Sequence, residues 1–149
     1  MNGYYKVTEK LYELLKADPD VNTITKGSAE EIDTYKAAMF PLVHILPVQS
    51  PFTTNTTTFT FVITALNQRE TYQEPTDKKY IKNDNEDDNL NAMYYVLLRL
   101  YLQLRKFGEE FDVINEPIPE PKLYEFSNLL DGWEATFEIQ VPIEEITAC

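Results

Sequence analysis

Trp133–Pro142 reads WEATFEIQVP. Trp133, Ala135, Phe137, Ile139 and Val141 alternate with Glu134, Thr136, Glu138 and Gln140. Successive side chains of a strand point to opposite faces, so this stretch is a strand with one apolar face on a core. Its polar face looks toward water, a lumen or a partner. Thr58–Asn67 (TFTFVITALN) repeats the pattern, with Phe59, Phe61, Ile63 and Ala65 set against Thr58, Thr60, Val62 and Thr64. Two long strands of this kind make a half-solvated sheet the centre of the fold.

Working outward, Phe40–Val48 (FPLVHILPV) is almost continuously apolar, as in a strand covered on both faces. Pro41 and Pro47 have no N–H, which confines this strand to an edge or the prolines to its ends. Val21–Thr25 is a short β-branched strand followed by a turn at Lys26-Gly27. Glu116–Pro121 (EPIPEP) is extended and stiff, Lys122–Phe126 reads as a further strand, and Leu130-Asp131-Gly132 reads as a turn.

Two segments carry a helical period. Val7, Leu11, Leu14 and Leu15 stripe Tyr4–Ala17, which Asp18-Pro19 ends. Met93, Val96, Leu97, Leu100, Tyr101 and Leu104 stripe Asn89–Lys106, with Leu98 and Leu102 widening the face and Gly108 as a stop. Ser28-Ala29-Glu30-Glu31 is a capping-box pattern, opening either a short helix through Lys36 or an ordered loop. Ser50–Thr57 and Arg69–Asp88 read as loops. The order predicts an α+β domain over residues 1–149: an antiparallel sheet of four to five strands with two main helices on one face.

Composition narrows function by exclusion. Acids outnumber bases 25 to 13, for a net charge of −12, which opposes any general phosphate-binding surface or anionic membrane surface. No apolar run approaches the roughly 18 residues of a membrane span, and the N-terminus has no secretory pattern. One cysteine, Cys149, and one histidine, His44, are too few for a disulfide framework or a zinc site. Asp84–Asp88 fails the calcium-loop pattern, with Asn89 where Gly and Tyr95 where Glu would be required. Carboxylates there suit the positive end of the following helix instead. No nucleophile elbow or Gly-rich phosphate loop occurs. The expectation is a non-enzymatic protein without metal or cofactor. A pocket joining His44 to two or more carboxylates would instead favour a small cytosolic enzyme.

Several segments together resemble the tail-terminator (tail-completion) proteins of tailed bacteriophages, in the version found in Bacteroidetes phages and prophages. They are Val21–Gly27, Glu31-Ile32-Asp33 with Lys36, Phe40–Ile45, Phe59–Leu66, Asn83–Asp88 with Leu90-Asn91, and Leu130–Trp133 running into Ala135-Thr136-Phe137, Val141-Pro142 and a final cysteine. The resemblance implies a small α+β subunit of a ring, usually a hexamer, that ends tail-tube polymerisation and joins the tail to the head connector. Its partners would be copies of itself, the tail tube protein and the head connector or neck protein. DNA would pass through without specific binding. The protein would be assembled in the host cytoplasm and reside in the virion. A neck or head–tail adaptor ring bound to the portal is the neighbouring alternative.

On that reading Phe52, Asn55, Arg69, Tyr72 and Tyr80, all in the long connections, are the expected inter-subunit or tube contacts. Glu86, Asp87, Asp88, Glu134 and Glu138 are candidates for an acidic lumen that repels phosphate, set against the simpler expectation of a solvated outer face.

Overall fold

The computed structural model describes residues 3–27, 39–69, 85–106, 111–125 and 130–142. In chain order the elements are α1 (Gly3–Lys16), β1 (Thr23–Lys26), β2 (Leu42–Pro47), β3 (Thr56–Gln68), α2 (Glu86–Arg105), β4 (Asp112–Val113), β5 (Glu120–Glu125) and β6 (Leu130–Pro142). The α+β class is as expected, but the sheet is mixed and has six strands. Its order is β1-β2-β3-β6, with β4 and β5 both lying along the far side of β6.

Two features of the chain account for that difference. β1 runs parallel to β2, pairing Thr23 with Leu42 and Lys26 with Ile45. A parallel pair needs a crossover of about a dozen residues or more, which residues 27–41 supply, and side-chain alternation carries no information about strand direction. β4 and β5 are one edge strand interrupted. β4 pairs Asp112 with Gln140, and β5 resumes with Glu120 opposite Glu134. Pro117 and Pro119 cannot donate to a ladder, so the chain between them bows out. Asn115 fills the gap with its side chain, donating from Nδ2 to the Thr136 carbonyl (2.7 Å) and accepting from the Glu138 N–H (3.0 Å).

β3 and β6 pair over their whole length, from Thr56 opposite Pro142 to Gln68 opposite Leu130. Their alternation places Phe61, Ile63, Ala65, Ala135, Phe137, Ile139 and Val141 in one buried layer. Both helices cover this layer, α1 through Val7, Leu11 and Leu15, and α2 through Met93, Val96, Leu97, Leu100 and Leu104. Each such side chain contributes about 1.5–3 kcal/mol when fully buried. Arg99 joins the two helices by a bidentate contact with Asp18 (2.9 and 2.8 Å) and a third bond to Asp20 (2.8 Å). The Asp18 hydrogen bond, ahead of Asp20, raises the guanidinium pKa further above its ordinary value. Trp133 Nε1–H donates to the Leu90 carbonyl (2.8 Å), fastening α2 to β6.

Pro41 precedes β2 and Pro47 is its last residue, so the prolines fall at the ends of a strand that lies inside the sheet, between β1 and β3. Leu130-Asp131-Gly132 is not a turn but the first part of β6. Gly132 is needed there because a Cβ would overlap the backbone carbonyl of Ala65 on β3, not because the chain reverses. Thr56 and Thr57 belong to β3 rather than to the preceding loop. α2 begins at Glu86, three residues before the predicted start, which puts Glu86, Asp87 and Asp88 in its first turn. The capping-box segment, Gly108 and Cys149 lie outside the described residues.

Candidate functional site

The face of the sheet away from the helices divides into a sealed end and an open end. At the sealed end Phe40, Leu42, Leu66 and Leu130 form a second, smaller buried cluster. Beside it His44 is buried with both ring nitrogens engaged, Nδ1 with the Thr25 hydroxyl and Nε2 with the Gly27 carbonyl, each at 2.7 Å. A carbonyl only accepts, so Nε2 carries the proton, and Nδ1 accepts from Thr25. Among the described residues no carboxylate bonds to His44, which ties β1 to β2.

The open end is built by period-2 geometry. Thr58 and Thr60 on β3 and Glu138 on β6 point away from the core, with Thr60 opposite Glu138. After β2 the chain folds over this end, with the Val48 N–H donating to the Thr60 carbonyl (2.9 Å) and the Thr58 N–H to the Pro51 carbonyl (2.8 Å). Ser50 Oγ accepts from the Thr60 N–H (3.2 Å) and donates to the Val48 carbonyl (3.0 Å). Across β6, the Ile114 N–H donates to the Glu138 carbonyl (2.9 Å). Val48, Gln49, Ser50, Pro51, Thr58, Thr60, Ile114 and Glu138 line the resulting groove. The Glu138 carboxylate forms no hydrogen bond or ion pair among the described residues.

Apolar side chains share the groove with that carboxylate. Val48 and Ile114 are exposed, and Phe52, one residue beyond Pro51, is 80% exposed. A turn fixes Phe52 in place: Thr53 Oγ1 accepts from the N–H groups of Asn55 (3.2 Å) and Thr56 (3.1 Å), and Phe52 bridges to Thr57. Farther along the same edge Ile118 is 80% exposed and Leu123 is also exposed. Clustered exposed aliphatic and aromatic side chains are a feature of association surfaces. Three prolines and the acids Glu116 and Glu120 on this edge oppose strand addition, so contact here falls to side chains.

The other predicted positions separate. Phe52 and Asn55 are exposed beside the groove. Arg69 does not offer a contact surface. It is buried, with Nε and Nη2 each 2.6 Å from a carboxylate oxygen of Asp131 and Nη2 also 3.2 Å from Glu86. A buried guanidinium needs its counter-charge inside the protein, and Asp131 at the start of β6 provides it. Tyr72 and Tyr80 lie outside the described residues.

The five acids do not form one cluster. Glu86, Asp87 and Asp88 stand in the helical layer, while Glu134 and Glu138 are on the opposite face of the sheet. Glu86 is bound by Arg69, and Glu134 accepts from Thr64 (3.0 Å) with Lys122 at 3.8 Å. Asp87 and Asp88 are exposed.

Sequence reasoning missed Val48, Ile114 and Ile118. Their signal was an aliphatic residue amid Pro and Glu, where no interior exists to receive it. Among the described residues no group of His, Cys, Asp and Glu could hold a metal ion. Among the same residues no helix is long and apolar enough to cross a membrane. The chain matches no family model, and no curated protein is significantly similar to it.

Proposed function

We propose that the protein is the subunit of a ring, hexameric by the family resemblance, that ends tail-tube polymerisation in a tailed bacteriophage and joins the tail to the head connector. The observation that carries this reading is the open end of the sheet: a groove holding the half-buried Glu138 between Val48 and Ile114, with exposed Phe52 next to its Pro51, in a chain whose net charge is −12. A strongly acidic protein has little reason to expose that apolar surface unless another surface covers it. The ordered run of segments resembling tail terminators supplies the identity of the assembly.

A ring forms when a heterologous contact, one patch on each copy against a different patch on the next, closes on itself. Asp88, exposed at the start of α2, is the acid we assign to a channel that DNA slides through, whereas Glu86 and Glu134 are already bonded. The test is location and copy number on the particle. Averaged images with a tag on this chain should show a six-fold ring at the head-proximal end of the tube. A ring between portal and connector would transfer the protein to the neck-adaptor class, and any other stoichiometry would refute the hexamer.

A further inference from the structure

We infer that the outward row of α2 pairs two copies of this chain, antiparallel, about a two-fold axis. The inference stands apart from the ring reading, because a two-fold contact closes on two copies whereas a ring needs a heterologous one.

The row of α2 that faces the core holds Met93, Val96, Leu97, Leu100 and Leu104, all buried. On the opposite side of the helix run Asp88, Asn91, Tyr95, Leu98, Leu102 and Arg105, at spacings of 3, 4, 3, 4 and 3 residues. That is the heptad spacing of a helix–helix seam, sustained over about 26 Å of helix. Leu98 is half-buried and the other five are exposed, Tyr95 by 46% and Leu102 by 50%. The helix dipole accounts for an acid in the first turn and a base in the last. It does not account for a tyrosine and two leucines between them, on the side turned from the core. An apolar row of that spacing is what a second helix covers.

Charge selects the occupant and its direction. Asp88, Arg105 and the adjoining Lys106 form no ion pair among the described residues. A second α2 laid antiparallel, with Asp88 beside the partner's Arg105, brings Asn91 over the partner's Leu102 and Tyr95 over the partner's Leu98. Acid meets base at both ends, and the apolar centre meets itself. A parallel pair would set Asp88 against the partner's Asp88 and Arg105 against the partner's Arg105, which like charges oppose. A row that complements itself only when reversed makes an isologous contact, so the occupant is a second copy of this chain. Asp88 cannot face the partner's Arg105 and a DNA channel at once. On the ring reading the pair is therefore the form of the subunit before assembly.

Sedimentation velocity of the intact chain, from micromolar to millimolar protein, tests this. The wild type should pass from monomer to dimer as concentration rises. Tyr95→Ser and Leu102→Ser, both at exposed positions, should keep the helical circular dichroism of the wild type and weaken dimerisation at least about tenfold. Asp88→Arg alone and Arg105→Asp alone should each weaken it several-fold by setting like charges opposite one another. Mixing these two variants should restore it, because both ionic contacts of the mixed pair then join opposite charges. A wild type that stays monomeric throughout, serine variants that dimerise like the wild type, or a mixture that fails to recover would overturn the pairing. None of these results bears on the ring, which is judged by copy number on the particle.

Discussion

β3 and β6 run side by side along their whole length, yet their two ends have opposite characters. At one end Arg69, Asp131 and Glu86 form a buried ionic group, and Asn67, Asn85 and Asn89 exchange side-chain hydrogen bonds with one another and with the Gln68 carbonyl. At the other end a carboxylate and three exposed apolar side chains face outward. The same two strands carry internal polar ties at one end and, on the proposed reading, an association surface at the other. Polar groups that are satisfied internally rigidify a fold, and groups left unsatisfied are available to a partner.

The contrast can be broken most forcefully at the sealed end. Asp131→Ala takes the nearest counter-charge from the buried Arg69 guanidinium and should cost about 3–5 kcal/mol in urea unfolding. Replacing Arg69 by Met and Asp131 by Leu together should cost less than that single change, since no lone charge is left inside. Equal losses would show that the pair is not coupled as described. Next in size, Gly132→Ala should destabilise by about 1–3 kcal/mol, because the Ala65 carbonyl has to move. Arg99→Ala should cost no more than about 1 kcal/mol in thermal unfolding, its guanidinium being 41% exposed and screened by solvent. The smallest stability effects belong to the open end. Phe52→Ser and Ile114→Ser should stay within about 0.5 kcal/mol of the wild type while reducing self-association. Large destabilisation there would make these side chains part of the core and remove the contrast.

How far the sequence reveals this division depends on the signal each end carries. The alternation of Trp133–Pro142 and Phe59–Ala65 located both central strands and the face they bury, and the apolar stripes located both helices. The parallel pairing of β1 was invisible, because a short β-branched run has no direction written in it. Asp131 was misread because Leu-Asp-Gly is also good turn chemistry, and only the position of the Ala65 carbonyl explains the glycine. Arg69 looked like a surface cation because its partner stands 62 residues away in sequence. At the open end, Phe52 and Asn55 could be picked out from a loop rich in Pro, Asn and Thr, whereas Ile114 requires the edge pairing that brings it beside Glu138.

The central claim is that this chain ends the tail tube. The most direct measurement is electron microscopy of particles assembled without it. Overlong tails, or heads and tails that accumulate unjoined, are the predicted result. Tails of normal length joined to full heads would contradict it.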